Sequence, residues 1–169
     1  DRWLGKLTAR GSLGAITART GFFLSSFEKW RSNTLKLGSK LRLAADLGAG
    51  VLDEAMVETA AYIVDESQDY HHLIFIRSLR YDAENKQNII EDSLSRVAGG
   101  TLDANTFVLQ STNFQTLKDS PFVYWLPQSI IDRLTRHPCL EPTVARIRAG
   151  LSTGDNQRFT RAIWEIRPE

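Results

Sequence analysis

Apolar and polar residues alternate along the first half of the chain in a way that predicts strands. Runs rich in small and branched apolar residues predict four of them, at residues 12–17, 41–47, 55–64 and 72–80. The first run is small and apolar, which is typical of a strand buried in a sheet that is covered on both faces. The third and fourth runs are close enough in sequence to pair antiparallel.

Helical spacing follows the first and the last of these strands. Ser25 and Glu28 have the spacing of a capping box, which predicts a helix that ends near Gly38. Apolar residues three or four positions apart predict a second helix over residues 84–97, and Gly99 follows it as a stop.

The character of the chain changes after Gly100. Beyond it we predict an aromatic and turn-rich stretch, a short helix that begins with a proline, and two strands, at residues 101–126, 127–136, 144–149 and 158–166 respectively. We therefore expect an α/β part over residues 1–105 and a small mixed α+β part over residues 106–169.

Composition excludes several classes of protein. The chain is 42% hydrophobic and 24% charged, the balance of a globular protein rather than a disordered one. No apolar run approaches the roughly 20 residues of a spanning helix, so we expect no membrane association. A single cysteine allows no internal disulfide, which indicates a reducing, cytoplasmic setting. The chain begins at Asp1 and its only methionine is Met56, so we expect it to be part of a longer protein.

The small net charge of +1 hides an uneven distribution of charge. Residues 1–42 hold nine Lys and Arg and two acids, whereas residues 43–105 hold four Lys and Arg and twelve acids. Residues 106–169 carry a slight excess of positive charge. Such asymmetry fits a polyanionic partner such as nucleic acid. It fits equally well a fold in which the basic and acidic segments pair with each other.

Few residues have the spacing of a catalytic or metal site. His137 and Cys139 do not form a recognised zinc pattern, and we expect no metal. Gly48 and Gly50 follow a predicted strand, but they lack the third glycine of a dinucleotide loop and are typical of a hairpin turn. No Gly-x-Ser-x-Gly elbow is present for a self-contained hydrolase. The acids between residues 53 and 69 are interpreted as a solvated face.

The most suggestive local feature is the loop Gly150–Phe159, which arginines flank on both sides. Hydroxyl, amide and guanidinium groups around glycines suit contacts with phosphates or with base edges. Because Gly-Asp-Asn is also a common turn sequence, a simple hairpin remains the alternative.

Three stretches, at residues 10–31, 45–62 and 150–159, together resemble a known family. In this order and spacing they are similar to DNA adenine-N6 methyltransferases of fused restriction–modification enzymes, and most closely to those of phage-growth-limitation and BREX phage-defence systems. The resemblance implies part of a Rossmann-like methyltransferase sheet. Residues 12–17 would be its central strand, and residues 41–47 and 55–64 would be its terminal antiparallel hairpin.

The resemblance also implies what the segment does. In the family, a glycine-rich S-adenosylmethionine loop and an Asn-Pro-Pro-aromatic motif precede the stretch matched by residues 10–31. None of the five prolines here lies in such a motif. We therefore expect S-adenosylmethionine to serve the parent enzyme, and neither a cofactor nor catalysis for this segment alone. The expected partners are double-stranded DNA and the rest of the parent methyltransferase.

Site residues carry over from the family position by position. The loop after residues 12–17 borders the pocket for the flipped adenine, and Phe22 or Phe23 would form an apolar wall there. The DNA-contacting residues implied by the match and by the arginine-flanked loop are Thr17, Arg19, Thr20, Arg146, Arg148, Thr153, Gly154, Asp155, Asn156 and Arg158. A non-catalytic nucleic-acid-binding module that folds alone would use the same basic residues, and it remains the alternative.

A strand at residues 12–17 that lacks its neighbour would leave an open sheet edge, and such edges pair with other chains. We therefore predict that the isolated chain forms dimers or is poorly soluble. Light scattering at several protein concentrations measures this directly, and a monomer throughout would contradict the open edge.

Overall fold

The computed structural model describes residues 2–35, 40–52, 56–66, 69–138 and 140–146. Five strands form one sheet: β1 (Ser12–Ala18), β2 (Leu41–Gly48), β3 (Thr59–Asp65), β4 (His72–Arg77) and β5 (Thr106–Gln110). The described helices are α1 (Ala83–Ala98), α2 (Gln128–Arg136) and a four-residue segment, α3 (Leu140–Thr143). The expected α/β class is confirmed.

The sheet is mixed, with the strand order β1-β3-β2-β4-β5. Strand β3 lies antiparallel to both β1 and β2, β4 lies parallel to β2, and β5 lies antiparallel to β4. The antiparallel hairpin of β2 and β3 is therefore confirmed, but it lies inside the sheet rather than at its end. The predicted pairing of residues 55–64 with 72–80 is wrong, because β4 lies on the other side of β2.

Strand β1 is an edge strand among the described residues, not a central strand covered on both faces. It pairs only with β3, and Ile16 is 56% exposed. Leu13 and Ala15 are half-buried while their neighbours are exposed. Its small apolar residues suit a doubly covered strand and an edge strand equally, so the composition alone misassigned it.

The chain after β1 coils tightly instead of forming a regular helix. Residues Arg19–Phe22 and Ser25–Phe27 form 3-10 turns, and Trp30–Thr34 form a π-helical turn. The residue that precedes the second turn is Leu24, which makes no side-chain capping bond, so the Ser25–Glu28 capping box is not formed. Gly38, where this helix was expected to end, lies outside the described residues.

The two later helices are confirmed. Helix α1 extends one residue beyond the prediction at each end. Helix α2 begins directly after Pro127, whose carbonyl accepts hydrogen bonds from the amides of Ile130 and Ile131. After α3, residues 144–146 turn back on Leu140 rather than starting a strand. The remainder of that predicted strand, and the strand at 158–166, lie outside the described residues.

Apolar side chains cover both faces of the sheet. On one face, Ile90 of α1 packs against a small cluster of Ala45, Leu47 and Ile76. On the other face lies the larger aromatic core, formed by buried residues of β2, β3 and β4 and by rings from residues 22, 114, 122 and 124. Strand β2 supplies both clusters because its successive side chains point to opposite faces.

The aromatic stretch that follows Gly100 belongs to this sheet. Residues 106–110 form β5, a strand that the sequence analysis missed, and Phe114 and Phe122 are buried in the aromatic core. The chain divides into two compact units, Asp1–Thr135 and Arg136–Glu169, whereas the sequence suggested a division between residues 105 and 106.

A buried arginine ties the aromatic stretch to the segment after β1. Arg31 is fully buried, and its guanidinium donates to the carbonyl oxygens of Gly21 (2.7 Å), Leu24 (2.9 Å), Asp119 (2.6 Å) and Ser120 (2.9 Å). Burial lowers the pKa of Arg31 from its usual value. Asp119 and Ser120 have positive φ angles of 62° and 48°, and both carbonyl bonds to Arg31 hold this turn in place.

Substitution of Arg31 by methionine removes all four bonds and takes a donor from the carbonyls of Gly21, Asp119 and Ser120, while Leu24 keeps the Phe27 amide. We predict a loss of about 3 kcal/mol or more in the free energy of unfolding, since each unsatisfied buried polar group costs about 1–3 kcal/mol. Urea denaturation followed by tryptophan fluorescence measures it. Arg133→Met on the exposed surface of α2 is the matched control, and equal midpoints for the two variants would contradict this role for Arg31.

Candidate nucleic-acid interface

One end of the sheet collects charged and aromatic side chains. The carboxyl ends of β1, β2 and β4 meet the amino ends of β3 and β5 there, as the pairings of Ala18 with Thr59 and of Asp46 with Arg77 show. Ligands of α/β sheets bind outside the carboxyl ends of their strands. The end that carries Asp46 and Arg77 is therefore the first place to look for a functional site.

Asp46 is a carboxylate with no solvent exposure, and three donors surround it. Arg19 binds it bidentately, with Nε 2.7 Å from Oδ1 and Nη2 2.8 Å from Oδ2. The hydroxyl of Tyr124 donates to Oδ2 at 2.6 Å. Arg19 also donates from Nη1 to Glu58 Oε2 at 2.7 Å. The planar guanidinium fork matches a carboxylate in this geometry, so Asp46 orients both Arg19 and Tyr124.

The electrostatics of this cluster appear in the pKa values of its members. The hydrogen bond to Asp46 raises the pKa of Arg19 above its already high value, so this guanidinium is charged at every working pH. Burial, followed by the bond to the Asp46 carboxylate, raises the pKa of Tyr124 well above its usual value. The neutral phenol and the charged arginine are therefore the stable states.

Two arginines and two aromatic rings form a continuous series beside this cluster. The guanidinium carbon of Arg19 lies 4.9 Å from the Phe23 ring centre, Phe23 meets Trp125 edge to face at 5.3 Å, and the guanidinium carbon of Arg77 lies 5.5 Å from the Trp125 ring centre. We call Arg19, Phe23, Trp125 and Arg77 the arginine–aromatic ladder. Phe23 and Trp125 are half-buried, so part of each ring reaches the surface.

The two residues expected to line the base pocket, Phe22 and Phe23, lie in different environments. Phe22 is 1% exposed, and its ring contacts Trp30, Tyr62 and Phe75 in the aromatic core. Its faces are therefore occupied by the protein itself. Phe23, the next residue, is the one whose ring joins the ladder.

The expected DNA contacts also fall into separate groups. Thr17 and Thr20 are exposed on either side of Arg19, at the ladder end of the sheet. The Arg19 side chain is only 17% exposed and is held by two carboxylates. Arg146 is exposed in the second compact unit. The remaining expected residues, Arg148, Thr153, Gly154, Asp155, Asn156 and Arg158, lie outside the described residues.

The ion pairs bear on the uneven charge of the chain. All three that the described residues contain join a cation of the basic first segment to an acid of the acidic middle segment: Arg19 with Asp46 and Glu58, and Lys40 with Asp69. Part of the charge asymmetry therefore serves pairing within the fold.

Sequence reasoning missed Asp46, Arg77, Tyr124 and Trp125. Asp46 did carry a signal, because it is the one acid in a strand that is apolar apart from Arg42 near its start, and a carboxylate in such a setting must be paired. The other three carried none, since their roles depend on which strands meet at this end of the sheet.

A cavity lies on the opposite face of the sheet, beside helix α1. It has a volume of about 370 Å³ and lies between the turn at Gly50 and helix α1. Its buried ionisable group is Lys86, 6% exposed, which donates to the carbonyl of Ala49. Glu91 also lines the cavity. The lining therefore carries charges of both signs and by itself assigns no ligand.

Other candidate sites are absent from the part of the chain that the structure describes. No group of three histidine, cysteine or acidic side chains there could hold a metal ion. No helix in the same residues is both long and apolar enough to cross a bilayer.

Comparison with known proteins identifies a relative. No family model matches the chain. An adenine-specific methyltransferase PglX from Lacticaseibacillus casei (strain Zhang) is 24% identical over 161 residues, which cover 93% of this chain and 13% of that protein. The resemblance to adenine-specific methyltransferases of the phage-growth-limitation type is thereby confirmed. The chain spans only a small part of this relative's length.

Solved structures with partial similarity come from restriction–modification proteins. A modification subunit assigned to a type I restriction enzyme from Vibrio vulnificus YJ016 has a TM-score of 0.49 at 10% identity, covering 66% of this chain and 25% of that one. A type I methyltransferase subunit from Streptococcus thermophilus has a TM-score of 0.47 at 15% identity, covering 62% and 24% respectively.

Replacing Tyr124 by phenylalanine removes one hydrogen bond to the Asp46 carboxylate. We predict a loss of about 1.5–3 kcal/mol in the free energy of unfolding near neutral pH. Between an ordinary tyrosine pKa of 10.0 and the raised value, the native state holds a proton that the unfolded state has released. Stability therefore falls as pH rises above about 10 in the parent chain, by up to about 1.4 kcal/mol per pH unit.

The variant lacks this titration, so its stability falls less steeply over the same range. Urea denaturation at about pH 9 and about pH 11 measures the difference. Tyr81→Phe is the control, because the Tyr81 hydroxyl bonds only the neutral amide of Asn105, at 3.3 Å. An alkaline loss as large in Tyr124→Phe as in the parent chain would contradict the assignment.

Proposed function

We propose that the chain is a segment of an S-adenosylmethionine-dependent DNA adenine-N6 methyltransferase of phage defence or restriction–modification, and that it contributes DNA contacts and a wall of the target-base pocket. The similarity to the adenine-specific methyltransferase PglX supports the class of enzyme. The rest of the parent enzyme supplies the catalytic motif and the cofactor site, and the reaction takes place on DNA in the cytoplasm.

The observation that carries this proposal is the arginine–aromatic ladder. Nucleic-acid-binding surfaces combine aromatic rings, on which bases stack, with arginines that pair with phosphates. Phe23 and Trp125 offer ring surface at the carboxyl end of the sheet, and Arg77 lies against Trp125 without an ion pair among the described residues. A base that has left the duplex requires such an apolar wall.

Individual residues take different parts in this proposal. Phe23 is the wall of the base pocket, and Phe22 supports it from the core through an edge-to-face contact at 6.1 Å. The exposed Thr17 and Thr20 make contacts with the DNA backbone beside it. Arg19 positions Phe23 rather than binding phosphate, since both of its carboxylate partners hold it inside the fold.

We also propose that the two parts of the chain belong to different regions of the parent enzyme. Residues 1–105 are the closing part of the methyltransferase sheet, and residues 106–169 begin the target-recognition region with the loop from Thr153 to Arg158. The open edge of β1 receives a strand from the rest of the parent methyltransferase, and it pairs with a second copy when that strand is missing.

A non-catalytic nucleic-acid-binding module is the second candidate, because the ladder would serve it without change. The coding sequence upstream separates the two. An Asn-Pro-Pro-aromatic motif there supports the methyltransferase, and an unrelated domain supports the module.

We predict that the chain binds duplex DNA with an affinity that falls as salt is raised, and that Trp125→Leu weakens this binding. Loss of one stacked base costs about 1–3 kcal/mol, so the affinity should fall roughly fivefold or more. Fluorescence anisotropy of a labelled duplex at several salt concentrations measures both effects.

Trp3→Leu is the matched control, since Trp3 is 67% exposed and lies outside the ladder. Thermal melts of both variants confirm that they are folded at the assay temperature. Equal affinities for the two variants would rule out the ladder as the contact surface, and no binding at low salt would rule out this DNA-contacting role.

A further inference from the structure

A second, smaller pocket opens beside Arg77 at the same end of the sheet. It has a volume of about 120 Å³ and lies where β4 ends and β5 begins. The lining side chains that matter for its chemistry are Arg77, Arg80, Tyr81, Asn105 and Phe107. We call it the Arg77 pocket.

The Arg77 pocket carries positive charge without a matching carboxylate. Two guanidinium groups line it, and none of its lining residues is acidic. Two acids are close to the lining residues in sequence: Asp82 is exposed at the start of α1 and does not line the pocket, and Asp103 already accepts hydrogen bonds from Ser93 (2.6 Å), from the Thr106 hydroxyl (2.7 Å) and from the Asn105 amide (3.0 Å). Those donors leave Asp103 committed to the turn before β5 rather than to the arginines.

One donor of the Arg77 side chain is buried and unpaired. Nε of Arg77 has no solvent-accessible surface to speak of and finds no acceptor among the described residues. A buried donor without a partner costs about 1–3 kcal/mol, so an acceptor brought by a ligand recovers that cost. Native proteins satisfy nearly all such groups, and this exception therefore points to a ligand.

The other polar groups suit the same ligand. The Tyr81 hydroxyl donates to Asn105 Oδ1 at 3.3 Å, and the amide nitrogen of the same side chain is a further donor in a lining residue. The backbone is held in place as well, because the Arg77 amide donates to the Asn105 carbonyl at 2.8 Å. Two guanidiniums and an amide around a space of a few water volumes match a tetrahedral oxyanion.

We propose that the Arg77 pocket binds a phosphate group, and that in the working protein this is a phosphodiester of the DNA backbone. The inference rests on the proposed function for its ligand source, and on the pocket alone for its ligand chemistry. The Arg77 guanidinium lies against the Trp125 ring, and the same side chain lines the pocket. Arg77 therefore lies beside both a base that stacks on Trp125 and a phosphate in the Arg77 pocket.

The first measurement uses the whole chain and inorganic phosphate. The arginine Nε–Hε signals are followed by ¹H–¹⁵N NMR while phosphate is added at constant ionic strength. We expect the Arg77 signal to shift saturably and Arg80→Gln to weaken the effect, while Arg133→Gln on α2 leaves it unchanged. No shift at Arg77, or the same response in both variants, would overturn the pocket.

The second measurement repeats the DNA titration with the same variants. Losing one phosphate contact should lower the slope of log affinity against log salt by about one, and the affinity by about eightfold at about 0.1 M salt. Arg77→Lys keeps the charge but loses the Nε–H donor, and it should lose affinity as well. Arg133→Gln again serves as the control.

The combined outcomes separate the ligand sources from each other and from the proposed function. In one outcome, phosphate binds while duplex DNA neither shifts the Arg77 signal nor displaces the phosphate. That result supports the pocket and makes a free phosphate or a small phosphate ester its ligand. If Trp125→Leu weakens DNA binding and Arg80→Gln does not, the proposed function is supported and the pocket is overturned as a DNA contact. A phosphate shift without any DNA binding keeps the pocket and overturns the proposed function.

Discussion

The buried carboxylate of Asp46 determines the arrangement of the functional end of the sheet. A charge removed from water must be matched by donors of good geometry, and Arg19 and Tyr124 supply them. Arg19 and Tyr124 each position an aromatic residue of the ladder. Arg19 lies over the Phe23 ring, and Tyr124 is followed directly by Trp125. The ladder therefore depends on a carboxylate that itself never reaches the surface.

A second constraint fixes the aromatic stretch over the sheet. Arg31 binds carbonyls on both sides of the contact, two from the segment after β1 and two from the turn at Asp119 and Ser120. Next to that turn, the amide of Phe122 donates to the carbonyl of Phe22 at 2.8 Å. These hydrogen bonds and the stacked rings thus fix residues 119–125 over the sheet, and the position of Trp125 is fixed with them.

Local periodicity was a good guide where an element buries a regular pattern. It located β2, β4 and α1 because their apolar spacing repeats over enough residues. It located β1 but placed that strand at the centre of the sheet rather than at its edge. It missed the short edge strand β5, and it failed at Trp30–Thr34, where packing around Arg31 replaces a regular helix. Phe22 and Phe23 show the same limit at the site, since adjacent identical residues differ only in which one faces the core.

The strand order has a consequence for synthesis on the ribosome. The sheet from β1 to β4 is complete once residue 77 has emerged, but Phe114, Phe122 and Tyr124, which cover its aromatic face, are made some 40 residues later. During that interval the face carrying Tyr62 and Phe75 is covered only in part, by Phe22 and Trp30, and exposed apolar surface in partly made chains is prone to aggregate. The order of the strands along the chain therefore leaves apolar surface exposed during synthesis that the finished fold buries.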